Sequence, residues 1–239
     1  MDTASLLLIM SAAGIACVHT AIGPDHYIPF IAMGKARQWS LAKTLRITFY
    51  CGLGHVLSSI VIGAIGIWLG AELASLVAIE GSRGNLAGWA LLAFGCMYFA
   101  WGLRKAGQSR SHSHVHSHGD VVHEHHHDHS ADHAHVHTQG ARGAITPWAL
   151  FIVFVLGPCE ALIPLFMYPA ATQNPALVIA VALVFGVVTL ATMLAIVAGV
   201  AAGIHRVSLP AKLGAYSHAF AGASVALCGA GITAMSLLA

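Results

Sequence analysis

Charge is what this chain has least of: Asp, Glu, Lys and Arg make up 8% of its 239 residues, against 57% hydrophobic residues. Soluble domains average about 25% charged residues, so a water-soluble enzyme or binding module is excluded, and a mean hydropathy of +0.76 describes an integral membrane protein. Cysteine is also sparse. Cys17, Cys51, Cys96, Cys159 and Cys228 are scattered without a CxxC, which excludes a disulfide framework. There is no HExxH within the apolar spans, the one match, His123–His127, lying in the polar His-rich tract, so that route to an intramembrane metal hydrolase is closed, and no enzymatic activity is expected. The N-terminus has no basic region and no small-residue cleavage site, so the first apolar segment is expected to remain as a span.

What the chain has instead is apolar length. A membrane-crossing helix needs about 20 apolar residues, and six segments approach that length, at about 4–30, 45–69, 86–103, 147–168, 177–204 and 213–238, with ends uncertain by about 2–4 residues. Ten of the eleven Lys and Arg residues fall between spans one and two, three and four, or five and six. By the positive-inside bias those connections are expected in the cytoplasm and both termini outside, and the expected location is a bacterial inner membrane. Arg83 is the exception and sits with Glu72 and Glu80 in the second-to-third connection, which is therefore expected to be an external loop.

The expected fold class is an all-α membrane protein of six helices. It divides into a membrane half at 1–104, a cytoplasmic His-rich disordered segment at 105–143 and a second membrane half at 144–239. Three spans per half force the second half to enter the membrane in the opposite sense, so likeness between halves implies an inverted repeat. GPDHYIP at 23–29 is like GPCEALIP at 157–164, and each lies in the first span of its half. Proline has no N–H and clashes with the carbonyl four residues back. Pro24 and Pro158 are therefore expected to break both first helices, Pro24 freeing the carbonyl of Thr20 and Pro158 that of Val155 or its neighbour. Paired broken helices are the best sequence pointer to a transporter's substrate site.

Polar side chains gather at those breaks. On an unbroken helix, His19 and His26 would be separated by about 10 Å of rise, whereas unwinding at Gly23-Pro24 could bring them together. Asp25 and Glu160 are the acids expected inside the spans, where an ionisable group is a functional hypothesis by default. His55 follows the pair of glycines in Gly52-Leu53-Gly54 and is a further candidate ligand. Cys159 could add a soft ligand. His205 and His218 read as interfacial, and Thr189 and Thr192 as hydroxyls bonded back to their own helix. Ser111–His137 holds twelve of the seventeen histidines; it lacks the hydrophobicity to fold and offers imidazoles suited to nickel, cobalt, zinc or copper.

HTAIGPDH at 19–26, followed by GLGHVLSSIVIGAIG in span two, resembles the nickel/cobalt transporter superfamily, and in particular its urease-accessory-type branch with a His-x5-Asp-His signature. That resemblance implies a secondary transporter of a divalent transition metal, nickel before cobalt and then zinc or manganese. By it His19, Asp25, His26 and His55 carry the metal, with Cys159 and Glu160 added from the second break. No permanently bound cofactor is expected. The expected partners are the transported ion and the bilayer, with a homo-oligomer and a cytoplasmic metallochaperone as candidates and no nucleic acid. A second resemblance competes: Gly-Pro-Cys-Glu-x3-Pro at 157–164 is similar to the thiol-disulfide membrane transporters of cytochrome c biogenesis. Those place a Pro-Cys in both repeats, whereas here the repeat partner of Cys159 is Asp25, which ranks this reading second.

Overall fold

The computed structural model describes residues 2–70, 72–108, 113–118, 121–126, 145–157, 159, 161–205 and 214–238. Within them the membrane part is wholly helical. α1 (Thr3–Ile22) leads through a 3-10 turn (Pro24–His26) into α2 (Ile28–Ala36), followed by α3 (Leu41–Trp68) and α4 (Leu73–Gln108). The second half has α5 (Ile145–Leu156), α6 (Leu162–Ala171), α7 (Pro175–His205) and α8 (Ser217–Leu238). Five of these, α1, α3, α4, α7 and α8, are long and apolar enough to cross a membrane; α5 and α6 are shorter apolar helices. The expected first span is thus split into α1 and α2, and the expected fourth into α5 and α6.

Local chemistry sets several of the ends. Asp2 accepts from the Ser5 N–H at 2.9 Å and caps α1, and Ser40 accepts from the Lys43 N–H at 3.3 Å and caps α3. Gln38 takes a left-handed φ of 51°, turning the chain between α2 and α3. The outer faces carry large apolar side chains such as Leu7, Met10, Val18, Leu183 and Leu227, all more than half exposed, the pattern of a surface that meets lipid rather than water.

Inside, α4 packs along α8, α7 lies against both α1 and α3, and α3 also meets α5. Lipid tails are as apolar as the side chains, so close helix approach relies on small residues. α4 and α8 touch backbone to backbone: a Cβ at Gly95 would lie 2.3 Å from the Ala226 nitrogen, and one at Gly222 would lie 2.3 Å from the Phe99 nitrogen. Two apolar clusters fill the bundle. One joins Phe30, Met33, Leu91, Phe154 and Val225, and the other Ala12, Ala16, Cys159, Phe166 and Phe185.

Two sequence expectations need correction. The connection before span three is not an external loop holding Glu80 and Arg83. α4 begins at Leu73, so both residues lie within a helix long and apolar enough to cross a membrane, and Glu80 is fully buried. The connecting tract, expected to be unstructured, contributes two short strands, β1 (Ser113–His118) and β2 (Val121–His126). They pair antiparallel, with His114 opposite His125 and His116 opposite His123.

Candidate functional site

The first helix break makes its own hydrogen bonds. The Gly23 N–H closes α1 on the His19 carbonyl at 3.0 Å, the His26 N–H bonds the Gly23 carbonyl at 3.1 Å, and the Tyr27 hydroxyl donates to Ala21 at 3.3 Å. His26 Nδ1 also lies 3.2 Å from the Gly23 carbonyl and 3.5 Å from Asp25 Oδ1. A Cβ at Gly23 would come within 2.6 Å of His26 Nδ1, so the turn depends on glycine at that point.

This unwinding places three imidazoles in a row. The His19 and His26 rings are 4.9 Å apart and nearly perpendicular, and the His26 and His55 rings are 5.3 Å apart in the same edge-to-face manner. His26 and His55 are buried. His55 extends the row to the second break, with Nδ1 3.3 Å from the Phe154 carbonyl oxygen near the end of α5. Where an Nδ1–H donates to a carbonyl, the lone pair is left on Nε2. Nε2 of His19, His26 and His55 are all buried, with no hydrogen-bond partner among the described residues.

The second break is held from outside its own chain segment. Arg83 on α4 donates through Nη2 to the Val155 carbonyl at 2.7 Å, to Ser58 Oγ at 2.8 Å and to the Gly157 carbonyl at 3.4 Å. Its Nη1 pairs with Glu80 Oε1. Glu80 Oε2 accepts from the Ser59 hydroxyl at 3.1 Å and from the Cys159 N–H at 3.0 Å. The Cys159 N–H also reaches Ser59 Oγ at 3.2 Å. Where α5 stops, the Phe154 carbonyl is thus shared by the Gly157 N–H and His55, those of Val155 and Gly157 are taken by Arg83, and the Cys159 N–H beyond the break by Glu80 and Ser59. An acid and a base at i, i+3, the first buried and the second partly so, with serines on α3, is a signal present in the sequence, in a segment whose polarity suggested a loop.

The residues singled out from the sequence therefore fall into separate groups. His19, Asp25, His26 and His55 come together. Cys159 is fully buried but packs in the cluster with Ala12, Ala16 and Leu162. Glu160 lies outside the described residues, and so does most of the His-rich tract beyond the two strands. Among the described residues, no group of three or more His, Cys, Asp or Glu side chains is arranged to hold a metal ion. None of the five cysteines is in a disulfide; Cys17 and Cys96 are exposed, while Cys51, Cys159 and Cys228 are buried. His218 contacts the Tyr98 hydroxyl at 2.8 Å and Lys105 Nζ at 3.0 Å. Thr189 does not bond back to its helix as expected; its hydroxyl is buried with no partner among the described residues.

Comparison with known proteins decides between the two resemblances. Residues 5–232 match the family model described as cytochrome C biogenesis protein transmembrane region. No curated protein and no solved structure matches the chain. The family match overturns the likeness to nickel/cobalt transporters, and with it the reading of the chain as a carrier of nickel, cobalt, zinc or manganese. That likeness stood on eight residues around the first break and one histidine span, whereas the family match extends from residue 5 to residue 232, through both halves.

Proposed function

This chain belongs to the family of cytochrome C biogenesis transmembrane regions, and on that premise we propose that it passes reducing equivalents across the membrane by thiol-disulfide exchange, with Cys159 as the exchanging thiol. The observation that carries the reading is a fully buried cysteine immediately after a helix break, in a chain matched by this family over nearly its whole length. A break at membrane depth is tolerated where protein surrounds it, and it gives the thiol a hinge on which to move.

One thiol is enough if the exchange partners are a donor dithiol on one side and an acceptor disulfide on the other. The Cys159 thiolate attacks the acceptor disulfide, forming a mixed disulfide and releasing one acceptor thiolate. A donor thiolate then attacks the Cys159 sulfur, releasing the second acceptor thiolate. The donor's remaining thiolate attacks its own sulfur in this new mixed disulfide and frees Cys159. The donor ends as a disulfide, the acceptor as two thiols, and Cys159 is unchanged. Two electrons and two protons have moved, each step being attack of a thiolate on a disulfide sulfur.

The protons need a path of their own. The row His19, His26 and His55, with Asp25 beside His26, begins at the first break and ends against the carbonyl of Phe154 and beside Gly157. Imidazole is the side chain best suited to passing a proton near neutral pH. We assign to these four residues the role of accepting and returning the thiol proton, and to Glu160 beside Cys159 in sequence a place in the same group.

Two finer features belong to the same reading. The fold is a six-span 3+3 inverted repeat in which α1 with α2 and α5 with α6 each make one broken span. The packing supports it: α1 against α7 is matched by α5 against α3, and α2 against α8 by α6 against α4. The His-rich connection faces the cytoplasm, as the ten basic residues on its side of the membrane suggest.

The test is electron transfer in proteoliposomes that carry a dithiol inside and a disulfide reporter outside. Wild-type protein should reduce the reporter, and Cys159→Ser should leave only the background of empty vesicles. Equal rates for the two proteins would remove the proposal.

A further inference from the structure

The two helix breaks are built differently. The first is closed by residues within and next to it, whereas the second depends on a charged pair carried by another helix. The Glu80 side chain is 0% exposed and that of Arg83 15% exposed. Charges taken out of water are costly to place unless every donor and acceptor finds a partner. Here they find them on the break, at the carbonyls of Val155 and Gly157 and the N–H of Cys159, and on α3, at the hydroxyls of Ser58 and Ser59. Separating α4 from the break would strip several of these bonds at once, so the arrangement is either closed or open.

We propose that Glu80 and Arg83 are positioning residues for Cys159: a clamp on α4 that fixes the α5–α6 break, keeps the thiol covered, and releases when the thiol meets a disulfide. The proposal rests on the reading of Cys159 as the exchanging thiol. It explains why an acid and a base stand inside a membrane helix far in sequence from the residue they hold. A lysine at position 83 would keep the charge and lose the fork, since one ammonium cannot reach Glu80, Ser58 and Val155 in the directions a planar guanidinium does.

The experiment compares rates of alkylation by N-ethylmaleimide, which is neutral and enters lipid, at each cysteine of the purified full-length protein, read by peptide mass spectrometry. Glu80→Gln and Arg83→Lys should raise the rate at Cys159 roughly tenfold to a hundredfold, the factor for losing one hydrogen bond to a charged group. Cys51 and Cys228, buried elsewhere in the bundle, should keep their wild-type rates. Ser59→Ala removes the hydroxyl that meets Glu80, Arg83 and the Cys159 N–H but leaves both charges and their direct bonds to the break, and should give a smaller rise at Cys159 alone, which keeps the proposal testable if the charge variants do not fold. An unchanged rate at Cys159, or a parallel rise at Cys51 and Cys228, would overturn the clamp; the second result would mean a loosened fold. Exchange of the wild-type protein with a small disulfide is followed alongside. Exchange present with Cys159 alkylation unmoved by the variants removes the clamp and leaves the thiol-exchange reading standing. Exchange absent with Cys159 selectively exposed removes the thiol-exchange reading and retains the clamp.

Discussion

His55 Nδ1 lies 3.3 Å from the carbonyl oxygen of Phe154, a contact between residues 99 positions apart that ties the imidazole row of the first membrane half to the broken helix of the second. The same histidine stands 5.3 Å, ring to ring, from His26. One side chain therefore borders both breaks, and a movement at either would be felt at the other.

Removing that side chain has a structural and a functional consequence. His55→Ala takes the imidazole from the Phe154 carbonyl, which keeps the Gly157 N–H at 3.1 Å, and should cost about 0.5–1.5 kcal/mol, the range for one intramolecular hydrogen bond. Thermal unfolding in detergent should show the loss. His55→Asn, which can donate to the same carbonyl, should recover much of the stability while leaving turnover slow, because an amide does not carry a proton as imidazole does. Full turnover in the Asn variant would exclude His55 from the proton path.

His26→Gln separates proton handling from sulfur chemistry in another way. The variant should form a mixed disulfide with a small disulfide reagent in a single turnover, since Cys159 is intact, yet complete few cycles. Steady-state and single-turnover rates measured on one preparation distinguish the two steps. Wild-type cycling by His26→Gln would show that the imidazole row is not needed.

Cys17 should take no part. It is exposed on α1, whereas its neighbour Ala16 faces the cluster that holds Cys159. Mild oxidation with diamide should yield no Cys17–Cys159 linked peptide, and Cys17→Ser should exchange at the wild-type rate. A linked peptide in good yield would replace the one-thiol scheme with an internal disulfide.

The contact between α4 and α8 gives a prediction about the scaffold alone. A methyl group at Gly95 or Gly222 would meet backbone at 2.3 Å, which no rotamer change can relieve. Gly95→Ala should destabilise the bundle by at least about 1–3 kcal/mol, the usual cost of overpacking, seen as a lowered unfolding midpoint. An unchanged midpoint would mean that the two helices do not pack this closely.

Some of this was legible from the chain alone. Gly23-Pro24 and Gly157-Pro158 mark the places where α1 and α5 end, because a proline deprives a helix of a donor wherever it occurs. The nearness of His19 to His26 follows from that break. Glu80 and Arg83 were not legible: hydropathy windows average over about 19 residues, so a Glu and an Arg three apart beside Gly81, Gly84 and Asn85 pull the segment down to loop-like values. Their partners, Ser58, Ser59 and the end of α5, come from elsewhere in the sequence. The family was misjudged for a related reason. The polar residues of HTAIGPDH gave a strong local signal, while Gly-Pro-Cys-Glu-x3-Pro at 157–164, which is similar to the family that matches, ranked second because its partner in the first half carries Asp25 in place of a cysteine.

The most direct measurement of the central claim is capture of the covalent intermediate. Membranes holding the protein, treated with a small aromatic disulfide and quenched with acid, should yield a mixed disulfide on the peptide containing Cys159, and addition of a dithiol before the quench should remove it with release of the aromatic thiol. Absence of the Cys159 adduct under conditions that label the exposed Cys17 and Cys96, or an adduct that a dithiol cannot discharge, would contradict the account.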